Sequence, residues 1–302
     1  MTNPSPLEPT PLNGIRYFTP PAGYALTGRD GRVHIPWEGK PPIPLLEEDF
    51  PVARESGAAD YDMVGRGIYQ ALRLNPDCNH AAEYAGVLKD AYPHIVSELG
   101  GQIIMLDARE VDTPYLDRKI NFLKIMVLLD PANAGLCQEI ARTFTERGSR
   151  LATLQHAVAS WYGAEQFLRR ALELDPTDLH SAYEYGEALY VLGRYEQAAQ
   201  AWAGLLPRLE VNERARVEGR IAAILAGRLP WVAPLDYLTA LSVAMEEHHA
   251  GHSDEAAAII EDVLADPVFG DQFPVNEVYY LLGTCYQEMG MAQEAAEAFK
   301  RS

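Results

Sequence analysis

The residues best suited to chemistry in this 302-residue chain lie in MEEHHAGHSDE, residues 245–255, where His248 and His252 are four apart among Glu246, Glu247 and Asp254. Two histidines at that spacing on one continuous helix, with a carboxylate beside them, could share a metal ion. The order is not H-E-x-x-H, and Gly251 between the pair is a turn residue that would take His252 off the face of His248. The reading is therefore a polar turn with an exposed histidine pair and no metal. A metal-handling protein or hydrolase built on His248/His252 stands as the alternative. No G-x-S-x-G nucleophile turn, phosphate-binding G-x-x-x-x-G-K-[ST] loop or dinucleotide G-x-G-x-x-G follows a strand pattern. Glu47 and Glu48 read as surface charge. Cys78, Cys137 and Cys285 are scattered without C-x-x-C spacing, as expected of thiols kept reduced inside a cell and serving as small buried hydrophobes. The expectation is no catalysis and no cofactor.

The elements around this cluster follow a repeating pattern. DLHSAYEYGEALYVLGRYEQAAQAWAGLL, from Asp178, and NEVYYLLGTCYQEMGMAQEAAEAFKRS, from Asn276, share fixed offsets: a small residue (Gly186, Gly283), a turn glycine seven later (Gly193, Gly290), an alanine five further on (Ala198, Ala295), then an aromatic (Trp202, Phe299). Two helix axes approach to about 8–10 Å only where side chains are small. Aromatics such as Tyr195 and Trp202 then fill the space between hairpins, because a unit with one apolar face must stack on a neighbour. The pattern resembles the tetratricopeptide repeat. That resemblance implies an all-α fold, a right-handed α-solenoid of helical hairpins.

The same frame fits LSVAMEEHHAGHSDEAAAIIEDVLADP, with Ala244, Gly251, Ala256 and Ile260 in register. Upstream, LCQEIARTFTERG, with Ala141 at the small position, pairs with FLRRALELDPTD, carrying Ala164, Leu168 and Ala171. The extra SRLATLQHAVA between them is expected to extend the helices. Proline stops at Pro76, Pro131 and Pro176 end apolar-periodic runs, since proline lacks the amide donor and disfavours helical geometry just before it. HAAEYAGVLKD places Gly86 at another small position. Gly100–Gly101 read as a break opening an insertion, before a helix from about Tyr115 to Leu129. VNERARVEGRIAAILAG carries one amphipathic helix, with Val217, Ile221, Ile224 and Leu225 on one stripe and no second partner of family type, hence a spacer.

Residues 1–55 differ in character, with eleven of the 21 prolines in the first 52 positions. They read as an extended Pro-rich N-terminal arm preceding the solenoid of residues 56–302. GYALTGRDGRVHIPW, with Gly-Arg-Asp-Gly in its middle, suggests a short β-hairpin. Ile15, Tyr17, Phe18, Tyr24, Val33, Ile35 and Trp37 give too much apolar surface for a solvated tail. The arm is expected to dock, on a partner or back on its own solenoid, through Tyr17, Phe18, Tyr24 and Trp37.

In the family resembled, the first helix of each repeat lines a concave face. Carried over by position, that face holds His180, Tyr183, Glu187 and Tyr190, with Tyr280, Thr284 and Glu288 from the last repeat. Leu241, Met245 and His248 follow from the copy before it, and Gln138, Arg142 and Glu146 from the one upstream. The lysine, asparagine and arginine with which some members grip a terminal carboxylate are missing: Tyr183 with Glu187, Gln138 with Arg142 and Tyr280 with Thr284 occupy those places. The surface is aromatic and acidic, suited to a basic or donor-rich peptide.

A formal charge of −18 repels a phosphate backbone, and no Lys/Arg run offsets it, so nucleic acid is not an expected partner. No apolar stretch has the length of a membrane span, and MTNPSPLEPTPLNG lacks the layout of a secretion signal, so the expected location is cytoplasmic. The expected function is a non-enzymatic protein–protein interaction module: an adaptor, assembly factor or structural subunit of a larger complex. The absence of a further capping helix after the last repeat, with Ala292, Ala296 and Phe299 at its end, leaves homo-oligomerisation through that repeat as another expectation.

Overall fold

A computed structural model describes residues 8–28, 33–108 and 114–302. The chain divides into two compact units, Met1–Leu136 and Cys137–Ser302.

The proline-rich segment is not an extended arm. It forms four short strands, β1 (Ile15–Phe18), β2 (Ala25–Thr27), β3 (His34–Pro36) and β4 (Ile43–Leu46), in two antiparallel pairs, β1 with β4 and β2 with β3. Ile15 faces Leu46 in one register and Leu26 faces Ile35 in the other. The central residues of the expected Gly-Arg-Asp-Gly turn lie outside the described residues. Prolines remove ladder donors but keep their carbonyls, and aromatic side chains use them: Trp37 Nε1 donates to Pro41 O at 2.8 Å and Tyr84 Oη to Pro42 O at 2.8 Å. Tyr24 Oη donates to Ala59 O at 2.7 Å and Tyr17 Oη to Thr10 O at 2.7 Å.

After α1 (Phe50–Ser56), the strands meet α2 (Tyr61–Leu74) at Gly67, where an added Cβ would lie 2.0 Å from Pro44 O. That glycine lets β4 lie directly on the helix. Phe18, Leu26, Trp37, Ile43 and Leu45 share one core with Val64, Ile68 and Leu72 of α2 and with residues of α3 (Ala81–Ala91), α4 (Ile95–Asp107) and α5 (Pro114–Leu129). Gly100 and Gly101 do not break the chain. They lie inside α4, with open space at both Cβ positions, so the helix continues at only the entropic cost of glycine.

The second unit holds α6 (Ala134–Ser149), α7 (Ala157–Leu174), α8 (Leu179–Val191), α9 (Tyr195–Ala203), α10 (Val211–Leu225), α11 (Pro234–Ala250), α12 (Ser253–Ala265), α13 (Pro267–Gln272), α14 (Asn276–Glu288) and α15 (Ala292–Phe299). Helices α8 and α9, α11 and α12, and α14 and α15 pack as hairpins. The stretch after Ser149 forms a 3₁₀ turn over Leu151–His156 before α7 begins, so most of it bends the chain instead of lengthening a helix.

Each hairpin repeats one contact. A Cβ at Gly186 would come 2.1 Å from Trp202 Nε1, and one at Gly283 would come 2.5 Å from Phe299 Cε1. In the third hairpin the same offset separates Ala244 from Ile260, both fully buried in one core. The turns repeat as well. Gly193, Gly251 and Gly290 take φ of +73°, +87° and +77°, which only glycine adopts freely, and the next residue's N–H bonds back five positions: Arg194 to Leu189, His252 to Glu247, Met291 to Tyr286. Gly227 closes α10 identically, through Arg228 N to Ala223 O. Asp178 caps α8 by accepting from Ser181 N at 2.6 Å.

Gly86, expected at a small position, has nothing within 4 Å of its Cβ direction and is not such a contact; in the first unit it is Gly65 that abuts a ring, that of Tyr92. The two glycines at like positions should therefore respond oppositely to Gly→Ala. Gly186→Ala, forced against the Trp202 ring, should lower stability in urea denaturation by about 1–3 kcal/mol. Gly86→Ala, in an open helical position, should raise it by about 0.5–1 kcal/mol.

Candidate functional site

Side chains spaced along one face of α6 and the first turns of α8 enclose a cleft of about 430 Å³ in the second unit. Gln138, Arg142, Thr145 and Glu146 come from α6, and His180, Ser181 and Glu184 from α8, above an apolar floor of Ala141 and Leu168. Its size suits a small segment of ligand. Arg142 is exposed and clasps Glu139 through Nε at 3.0 Å and Nη2 at 2.6 Å, while Glu146 pairs with Arg150. Gln138 Nε2 donates to the capping Asp178 at 2.9 Å, which ties the two helices together.

Two polar groups of α8 face the cleft. Ser181 is fully buried, its hydroxyl beside the Asp178 carboxylate that caps the helix. Glu184 is half-buried and makes no hydrogen bond or ion pair among the described residues. Burial pushes its carboxyl above the usual carboxylate range, with Glu187 and Glu213 adding to the rise and His180 opposing it.

One helical turn further along α8, the next acid is already satisfied. Glu187 is buried and receives Arg220 Nη1 on both oxygens at 3.0 Å, with Arg216 Nη2 at 3.5 Å. Arg220 Nη2 donates to Gln272 Oε1 at 2.7 Å. The Arg220 guanidinium lies 4.5 Å from the Tyr190 ring centroid, and that of Arg216 lies 5.7 Å from the Tyr183 ring. The helix read as a spacer, α10, is thus laid against α8 and α9 by two arginines, with Val217 its one fully buried apolar residue.

The structure sorts the sequence-derived residues into distinct places. Gln138, Arg142, Glu146 and His180 come together in the cleft. Tyr183 and Tyr190 are buried, and Glu187 is consumed by α10, so truncating these tyrosines would probe packing. Met245 is half-buried against the second core, where Leu241 lies buried. His248 Nδ1 faces Glu288 at 3.3 Å, which also accepts from Ser253 Oγ; Thr284 Oγ1 donates to Leu281 O at 2.6 Å. Tyr280 is 59 % exposed, its ring 5.6 Å from that of Phe299. Of the arm residues, Phe18 and Trp37 are buried in the first unit's core, Tyr24 packs against it, and Tyr17 is half-buried.

The histidine pair does not converge. His252 Nδ1 lies 2.7 Å from Glu247, away from the Glu288 that holds His248, and the turn at Gly251 is the cause. Among the described residues no group of three or more His, Cys, Asp or Glu is arranged to hold a metal ion. The cysteines are buried, and burial beside Glu288 pushes the Cys285 thiol up to about 11, far from a nucleophile at neutral pH. No helix among the described residues is long and apolar enough to cross a membrane.

The sequence reading missed Glu184, Ser181 and Thr145, and the arginines of α10. The i, i+4 pair Arg216/Arg220 on an amphipathic helix was the available signal; its acidic target 33 residues away was not.

No family model matches the chain, and no curated protein does. Among solved structures, "Crystal structure of MamA protein" aligns at 18 % identity with a TM-score of 0.29, covering 69 % of this chain and 90 % of that one. "Crystal structure of MamA" aligns at 20 % and 0.26, covering 65 % and 91 %. "MamA RS-1 ArsTM double mutant" aligns at 14 % and 0.28, covering 68 % and 92 %. Alignments this loose carry no functional inference.

Removing Arg220 leaves buried Glu187 with the more distant Arg216 at 3.5 Å and Gln272 Nε2 at 3.4 Å, and Arg220→Ala should cost about 3–5 kcal/mol. Arg142→Ala, which breaks an exposed pair, should cost under about 1 kcal/mol. Chemical denaturation of both variants checks the contrast.

Proposed function

We propose that the chain is a non-enzymatic protein-interaction module whose α6/α8 cleft receives a peptide segment presenting a lysine or arginine to Glu184. The observation that carries this reading is the half-buried Glu184 carboxyl lining the cleft, which has no ion-pair partner among the described residues. A buried carboxylate is costly when alone and favourable when a cation with hydrogen-bond donors reaches it. The same helix supplies the precedent, since both oxygens of Glu187 accept from Arg220 Nη1. A net charge of −18 adds long-range attraction for basic partners. In the cell this chemistry fits an adaptor, assembly factor or structural subunit of a cytoplasmic complex.

An array of random peptides probed with the protein should enrich lysine and arginine, and Glu184→Gln should weaken the enriched peptides by about 10–100-fold. Equal binding by that variant, or enrichment without basic residues, would overturn the reading. Stability should move the other way. The folded-state pKa of Glu184 lies above its unfolded value, so the ionised carboxyl is a cost that is absent below the unfolded pKa of about 4.3 and grows as pH rises through the folded one. Glu184→Gln should therefore raise the melting temperature at neutral pH, with the gain vanishing in acid.

A further inference from the structure

A second and broader cleft, of about 840 Å³, opens between the loop after α10 and the end of α12. Arg228, Leu229 and Trp231 form one bank; Asp262, Ala265 and Val268 form the other. Trp231 is 99 % exposed, and Leu225, Leu229 and Val232 around it are 80 %, 45 % and 42 % exposed. A lone exposed apolar side chain needs no explanation, but four within eight residues, flanked by opposite charges, mark an association surface.

The loop is braced. Gly227 closes α10, Ala233 N donates to the Asp236 carboxylate at 3.2 Å, Tyr195 Oη donates to Val232 O at 3.4 Å, and Pro230 fixes the backbone before Trp231. An indole held out on such a loop loses little freedom on docking, as a hot-spot anchor requires.

The charges select the occupant. Arg228, Asp262 and Asp266 line the same cleft; Asp266 is engaged by Tyr237 Oη and Val268 N, whereas Arg228 and Asp262 make no hydrogen bond or ion pair among the described residues. A basic partner would oppose Arg228 and an acidic one would oppose Asp262. A two-fold-related copy brings each residue its complement at once, because in such an interface residue i meets residue j and j meets i. The shape agrees, with a projecting indole beside an open cleft.

We infer that this surface is a two-fold contact between copies of the chain, each Trp231 entering the other's cleft while Arg228 of each meets the other's Asp262. The high negative charge opposes association at low ionic strength, so added salt strengthens the dimer until it begins to screen the Arg228–Asp262 pairs.

Sedimentation equilibrium of the full chain, across about two decades of concentration, tests the inference. The unmodified protein is expected to show a monomer–dimer equilibrium. Trp231→Ala should weaken it by about 30-fold or more. Arg228→Glu and Asp262→Arg should each weaken it, and the two together should restore it. Monomer throughout the series, a dimer indifferent to Trp231→Ala, or failure of the charge-swapped double variant to recover would overturn the inference. Because all three residues are exposed, a thermal melt of each variant distinguishes loss of association from loss of fold.

Discussion

The second unit depends on a steric concession: in two of its hairpins one helix gives up a side chain so that a ring of the next can occupy the space. Trp202 lies in the notch left by Gly186 and anchors itself by donating Nε1 to Tyr183 O at 3.2 Å. The Phe299 ring occupies the notch at Gly283, and buried Ala244 and Ile260 stand at the same separation in the third hairpin. Burial of such a ring removes about 150–250 Å² of surface from water, and the contact fixes the rotation of the helix as well as its distance. With the Gly186 side of α8 committed to α9, its remaining faces carry Glu184 toward α6 and Glu187 toward α10.

Those two glutamates show how surroundings divide one residue type into two roles. Glu187 has two arginines and a glutamine around it and acts as structural cement for a helix with little apolar surface of its own to bury. Glu184, three positions earlier on α8, is half-buried and without an ion-pair partner among the described residues. Guanidinium over tyrosine with a carboxylate behind it is the motif by which α8 binds its own chain. In the proposed reading, the cleft extends the same chemistry to a ligand from outside.

The hairpins were legible because close approach demands a small residue and a large one at a fixed separation, and both members lie within one short segment. Gly86 misled for the same reason in reverse. It has the small residue, but the polar Gln102 stands sixteen positions later, where Trp202 and Phe299 stand in the true pairs. The proline-rich start suggested extended chain because proline weakens ladders, yet its carbonyls are the acceptors that tyrosines and Trp37 need, and Gly67 opens α2 to β4. Of the cleft, Gln138, Arg142, Glu146 and His180 were readable from helical position alone. The partnering of Glu187 was not, because it is set by a segment 33 residues away, and whether an acid is free or spent is a tertiary property.

The central claim is that Glu184 is a vacant cation receptor. Carboxyl-resolved NMR titration of Glu184, with and without a short arginine-containing peptide, tests it most directly. A bound guanidinium favours the ionised form, so the account predicts that the raised midpoint falls as peptide is added. A midpoint that stays raised at every peptide concentration would contradict it.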